Sequence, residues 1–198
     1  MLTIGLTGMS GSGKSYVAAI FSRYGIATVN ADAIVHRLYQ GKNPCTELLR
    51  ERFGDSVIHT DHSVNRKNLA AIVFSDPQKL KLLNETVHPF VLCEIDKAVD
   101  SARQKSAQAI LIDAPQLFES HLDDKCDLII AVIADEQTRV TRIARRDGIS
   151  QEDAKKRLSH QYPDEFFIER ADYCIRNSDH DSPEAEIVSL LTKLDLLP

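Results

Sequence analysis

Eight consecutive residues, Gly8-Met9-Ser10-Gly11-Ser12-Gly13-Lys14-Ser15, fit the pattern G-x-x-x-x-G-K-[S/T] at every fixed position. The residue types state the chemistry. Glycines let a backbone curl until successive N–H groups point into one anion-sized hollow, and a following helix adds the positive end of its dipole. Lys14 reaches β- and γ-phosphates as a point charge, and the Ser15 hydroxyl is an oxygen ligand for Mg2+. A turn that only joins a strand to a helix needs glycines but not a Gly-Lys-Ser ending. Gly8, Gly11, Ser12, Gly13, Lys14 and Ser15 are therefore read as a phosphate-binding loop for a nucleoside triphosphate.

What happens to the phosphate is narrowed by subtraction. No glycine has Asp three residues before it and no Asn is followed by Lys, so the signatures of a GTP-dependent switch are missing. Ile110-Leu111-Ile112-Asp113 runs into Ala114-Pro115, which leaves Asp113 as a metal-side acid with no neighbouring base to activate water. That favours a kinase acting on a small molecule over a motor ATPase. A kinase needs an acceptor base, and Asp32 follows the second apolar segment, where strand ends of an open α/β sheet line a ligand crevice. The same Asp32 would also cap a helix over Ala33–Tyr39. Arg139, Arg142 and Arg146 recur at i, i+3 and i+7, which at about 100° per residue places them within about 60° of arc. Such a face can stabilise a transferring phosphoryl group, or it can be a solvated basic face; Arg145 points elsewhere.

The elements that position these residues follow from the apolar pattern. Leu2–Thr7, Ala27–Asn30, Ala109–Ile112, Leu128–Ala134 and Tyr173–Ile175 read as strands, the longer ones continuously apolar, as in a parallel sheet covered on both faces. Val17, Ile20 and Phe21 mark a helix after the loop, ending near Gly25. The expected fold class is α/β, a phosphate-loop NTPase-type parallel five-stranded sheet flanked by helices, with a helical insertion and a lid. The insertion is required by spacing. Between Asn30 and Ala109 lie 78 residues, where one crossover needs about a dozen or more. Helices are expected over Ala33–Tyr39, Cys45–Phe53, Arg66–Phe74 and Pro77 to about Gln104. The expected organisation is a nucleotide-binding core of residues 1–30, 109–147 and 173–198, an acceptor-binding insertion of residues 31–108, and a lid of residues 148–172. The lid reads as a polar, mobile flap with one amphipathic helix begun by Ser150. A closing helix between Ser182 and Leu197 turns Ile187, Leu190, Leu191 and Leu194 inward.

Composition excludes other classes. At 198 residues, 43% apolar and 27% charged, the chain reads as one soluble globular domain with an insertion. A net charge of −5 gives no footprint for nucleic acid or a membrane surface. The longest clean apolar run, Leu128 to Ala134, is far short of the ~20 residues that span a bilayer. No charged-then-apolar leader opens the chain, and Cys45, Cys93, Cys126 and Cys174 form no C-x-x-C pair. Free thiols in a cytoplasmic protein without a signal peptide are expected. No protein partner is evident. His59 and His62 lie in a polar, Asp-containing turn that reads as a solvated loop rather than a metal site.

In this order the segments resemble the dephospho-CoA kinase family nearly end to end. Gly5 through Ser15 resembles its opening, Asn30-Ala31-Asp32 its Asp-containing turn, and Asn65-Arg66 with Leu69 and Val73-Phe74 its second-domain arginine segment. Val87-His88-Pro89 matches its His-Pro, and Asp113-Ala114-Pro115-Gln116-Leu117-Phe118-Glu119 its Asp-x-Pro-Leu-Leu-Phe-Glu. Arg142 to Gly148, Arg157 to Gln161 with Pro163, and Ala171-Asp172-Tyr173 with Asn177 complete the series. The resemblance implies transfer of the γ-phosphoryl of ATP, with Mg2+, to the ribose 3′-hydroxyl of dephospho-CoA, the last step of coenzyme A synthesis. By the same resemblance Asp32 is the base and Lys14 and Ser15 handle phosphate and metal, with Asp113 on the metal side. Arg142 stabilises charge, with Tyr16 and Arg146 also at ATP. Thr7, Asp32, Arg66 and His88 contact the acceptor. Gln116 stands where the family has Leu, Tyr162 where it has Met, and Phe167 where Lys is common; Met9-Ser10 replaces Gly-Ile at variable loop positions. The residues alone leave open a kinase for another acceptor, such as a nucleoside or nucleotide, or a nucleotide-dependent switch.

Overall fold

The computed structural model describes residues 1–197. In chain order the elements are β1 (Leu2–Thr7), α1 (Lys14–Arg23), β2 (Ala27–Asn30), α2 (Ala31–Leu38), α3 (Pro44–Phe53), α4 (Arg66–Val73) and α5 (Pro77–Gln104). There follow β3 (Ala109–Asp113), β4 (Leu128–Ile133), α6 (Glu136–Asp147), α7 (Gln151–Leu158), α8 (Asp164–Ile168), β5 (Tyr173–Arg176) and α9 (Pro183–Lys193). The chain forms two compact units, first Met1–Asn30 with the chain from Val99 onward, and second Ala31–Ala98.

The first unit holds a five-stranded sheet of order β2-β3-β1-β4-β5, with every pairing parallel. Both faces are covered, which is why β4 and, up to Asp113, β3 are apolar without alternation, and why Thr3 and Thr7 of the alternating strand β1 are buried as well. On one face Val17, Ile20 and Phe21 of α1 and Ile187, Leu190 and Leu191 of α9 close over Ile4, Leu6, Leu111 and Val132. On the other, Val140 and Ile143 of α6, Ala154 and Leu158 of α7, and Phe167 pack with Met9 and Ala131. Each large aliphatic buried this way contributes about 1.5–3 kcal/mol relative to exposure. Register sets the functional edge. Leu6 pairs with Asp113 and with Ile130, and Asn30 with Asp113, so the C-terminal ends of β1, β2 and β3 lie level.

The second unit is helical. Asn43 caps α3 by accepting from the N–H of Cys45 (2.9 Å) and of Thr46 (3.2 Å), and Thr46 Oγ1 answers the Asn43 N–H at 3.0 Å, a reciprocal box. Arg52 on α3 donates to the buried Thr86 hydroxyl of α5 at 2.9 Å, and α5 runs through Pro89 without ending.

Two sequence expectations are corrected. α2 begins at Ala31, directly from β2, so Asp32 lies inside the first turn rather than at the cap of a helix starting at Ala33. It still faces the positive end of the helix dipole. The segment 148–172 is not polar throughout and carries two helices, not one. Ser150 does cap α7, accepting from the Asp153 N–H at 3.0 Å, but Ala154, Leu158 and Phe167 are buried. Smaller shifts follow the hydrogen bonds: β3 and β5 each gain one residue, β4 stops at Ile133, and α9 ends at Lys193.

Candidate active site

The phosphate loop fills the step from β1 to α1. Gly8, at φ 134°, lies so close to the β4 backbone that a Cβ would overlap the Val132 carbonyl, so only glycine fits. The Ser12 N–H closes the loop on the Met9 carbonyl at 3.2 Å, and the Gly13 carbonyl accepts from Tyr16 and Val17 as α1 begins. Lys14 folds back along the loop, its Nζ donating to the Gly8 carbonyl at 2.6 Å. Ser15 and Tyr16 are exposed on the first turn of α1.

Beside the loop, at the end of β3, Asp113 is 4% exposed. Asn30, its partner on β2, donates from Nδ2 to Asp113 Oδ2 at 2.6 Å, fixing the carboxylate plane. Thr7, fully buried, donates to the Pro115 carbonyl at 3.4 Å. Its hydroxyl thereby ties the end of β1 to the turn after Asp113. The Ser15 hydroxyl and the Asp113 carboxylate are both hard oxygen donors, the kind Mg2+ takes alongside phosphate oxygens and water. Among the described residues no cluster of three His, Cys, Asp or Glu side chains could hold a metal alone.

The arginines of α6 separate. Arg142 donates from Nη1 to the Asn177 carbonyl at 2.7 Å, lies 3.4 and 3.5 Å from the Ser12 and Gly11 carbonyls, and pairs with Asp179 at 3.3 Å. Arg139 is buried, pairs with Asp164 at 3.1 Å and abuts Met9 Sδ. Arg146 turns to its neighbour Asp147 at 2.7 Å, where Arg157 joins at 2.5 Å. The Arg146 guanidinium, with Arg157, holds the Asp147 carboxyl below the usual range. The structure thus brings Arg139 and Arg142 to the loop and directs Arg146 to the start of the 148–172 segment. From that segment Gln161 accepts the Ser10 N–H on Oε1 at 3.0 Å.

In the helical unit Asp32 and His36 are exposed one turn apart on α2. Arg66, the first residue of α4, donates from Nη2 to His36 Nδ1 at 2.7 Å and lies 5.5 Å from the Tyr39 ring centroid. A guanidinium only donates, so Nδ1 is the accepting nitrogen. Burial, the largest cause, pushes the Tyr39 hydroxyl up to about 12. This cluster ties Arg66 to the helix that carries Asp32. His88 is half-buried within α5.

Sequence reasoning gave no role to Asn30, Gln161, Asp164 or Asn177. Asn30 and Asn177 carried a usable signal: each is polar at or just past the C-terminal end of a strand. Gln161 closes the Arg157–Gln161 segment that resembles the family, but nothing in the sequence points it at Ser10 or Asp164 at Arg139.

The dephospho-CoA kinase family profile matches residues 2–182. A dephospho-CoA kinase of Symbiobacterium thermophilum is 38% identical over 177 residues, covering 89% of this chain and 74% of that one. One of Shouchella clausii is 36% identical over 177 residues, covering 89% and 90%. A crystal structure of a Thermus thermophilus protein superposes with TM-score 0.82 at 30% identity, covering 98% of this chain and 97% of its own. By its phosphate loop, its parallel sheet and a match that runs through the helical unit, the chain belongs to the dephospho-CoA kinase family.

Proposed function

We propose that this ATP-dependent kinase moves the γ-phosphoryl group of ATP to the ribose 3′-hydroxyl of dephospho-CoA, with Asp32 taking the hydroxyl proton. The observation that carries the acceptor assignment is the reach of the family match. It spans the helical unit 31–98 as well as the phosphate loop. In this reading the acceptor oxygen bonds to the γ-phosphorus, the bond from that phosphorus to its bridging oxygen breaks, and ADP keeps the electron pair. Lys14 and the N–H groups of the loop hold the β- and γ-phosphates, so little charge needs rearranging at the moment of transfer.

Ser15 and Asp113 would hold Mg2+, which supplies neutralisation of phosphate charge when bound. Asn30 fixes the Asp113 carboxylate for that role. Arg142 and Lys14 stabilise charge on the moving group, with Arg146 and Tyr16 on the nucleotide side. Arg66 and His88, with Thr7, contact the acceptor, and His36 presets Arg66. Residues 148–172 act as the lid.

The test is ADP release from Mg-ATP by purified protein with dephospho-CoA, adenosine or AMP as acceptor. Selective stimulation by dephospho-CoA, with product mass raised by one phosphoryl group, is expected. Stimulation by another acceptor alone keeps a kinase and discards this substrate. Nucleotide binding without turnover on any acceptor returns the chain to a switch.

A further inference from the structure

Asn177 follows β5 directly and is 5% exposed. Its own N–H completes the sheet on the Ile133 carbonyl at 2.8 Å, which fixes the backbone from which the side chain projects. The side chain reaches across 165 residues of sequence to donate from Nδ2 to the Ser12 carbonyl at 2.7 Å. Its main-chain carbonyl accepts Arg142 Nη1 at 2.7 Å. Gly13, at φ 89°, packs so tightly here that a Cβ on it would overlap Asn177 Nδ2. One residue therefore holds the Ser12–Gly13 peptide from behind by a hydrogen bond, a steric stop and, through Arg142, a guanidinium.

The consequence is geometric. In a trans peptide the C=O and the following N–H point in opposite directions. Pinning the Ser12 carbonyl towards Asn177 directs the Gly13 N–H the other way, into the hollow of the loop. We propose that Asn177 is a positioning residue for phosphate: it sets the Ser12–Gly13 peptide so that the Gly13 N–H meets the triphosphate. It touches no reacting atom. This deepens the kinase reading and rests on the phosphate loop of that reading, not on the identity of the acceptor.

The experiment compares wild type with Asn177→Asp, isosteric but unable to donate, and with Asn177→Ser, which is too short to reach Ser12 and adds neither bulk nor charge. ATP and adenosine binding are measured by calorimetry, together with Tm and the KM for dephospho-CoA. The ATP affinity is expected to fall about tenfold or more in Asn177→Asp, in line with loss of a preset oxyanion donor, and by a smaller factor in Asn177→Ser. Adenosine affinity and acceptor KM are expected to stay near wild type, while Tm falls in both variants because the buried Ser12 carbonyl loses its donor. A purely structural role would weaken every ligand together, and that result overturns the proposal. So does an ATP affinity in both variants within twofold of wild type. ATP binding is read without an acceptor, so a wild-type protein that binds ATP yet ignores dephospho-CoA rejects the substrate assignment and leaves this test standing.

Discussion

Arg139 and Asp164, 25 positions apart in sequence, meet at 3.1 Å, and the arginine side chain is 8% exposed against 28% for the aspartate. The pair ties α6 to the first turn of α8, beside Met9 of the phosphate loop. Burial, the larger cause, pushes the Asp164 carboxyl above the usual range in spite of Arg139. Desolvation of this carboxylate therefore outweighs the attraction it receives, the usual balance for ion pairs removed from water.

That balance predicts an asymmetric cycle. Asp164→Leu strands a buried guanidinium and should cost about 2–3 kcal/mol, somewhat below the ~3–5 kcal/mol of a fully buried pair because Asp164 is partly solvated. Asp164→Leu combined with Arg139→Met should recover most of that loss. Urea denaturation midpoints measure both. A double variant no more stable than Asp164→Leu alone would show that packing of the arginine stem, not its charge, is what the site requires.

Asp32 sits in the first turn of α2 and is exposed. Asp32→Asn is expected to lower kcat by about 10²–10⁴, the range for losing a general base. The KM for ATP should change little, because the proton moves only in the transition state. Steady-state kinetics with both substrates varied decide it. Equal loss in kcat and in nucleotide binding would assign Asp32 to structure.

The Asn30–Asp113 contact makes a graded prediction about metal. Asp113→Asn removes the anionic donor and should raise the Mg2+ concentration for half-maximal rate most. Asn30→Ala leaves the carboxylate but frees its plane, and should raise it by about tenfold, as for other residues that orient metal ligands. A Mg2+ titration at fixed ATP compares the two. Identical titrations for wild type and Asp113→Asn would remove Asp113 from the metal.

Much of this site was legible because its signals are local. The phosphate loop is contiguous, β3 and β4 announce double burial by unbroken apolar runs, and the 78 residues between Asn30 and Ala109 force an insertion. What was not legible depends on side chains meeting across the fold. Arg139, Arg142 and Arg146 share one helical arc, yet Asp164, Asn177 and Asp147 draw them to three different places. The 148–172 segment reads as polar because its apolar residues are few. Ala154, Leu158 and Phe167 fall inward together only once α7 and α8 fold against α6 and β4. Asp32 looked like a cap because nothing in the sequence shows β2 passing into α2 without a turn.

The cap of α6 predicts a pH dependence. Asp135 accepts from the Thr138 N–H at 2.8 Å and from its hydroxyl at 2.7 Å, and these bonds, the backbone one largest, then Ser178, bring its carboxyl down to about 2. An unfolded aspartate titrates near about 3.9. The folded value is the lower one, so the ionised cap stabilises the fold above about pH 4, and that contribution is lost as the pH falls from about 4 towards 2. Asn remains a good N-cap but cannot ionise. The Tm of Asp135→Asn should therefore lie below wild type at neutral pH, and the gap should close as the pH approaches about 2. Since α6 carries Arg139 and Arg142 to the phosphate loop, nucleotide affinity at neutral pH should fall with it. A Tm gap that stays constant across the acid range would mean that the cap acts through hydrogen-bond geometry alone and not through its charge.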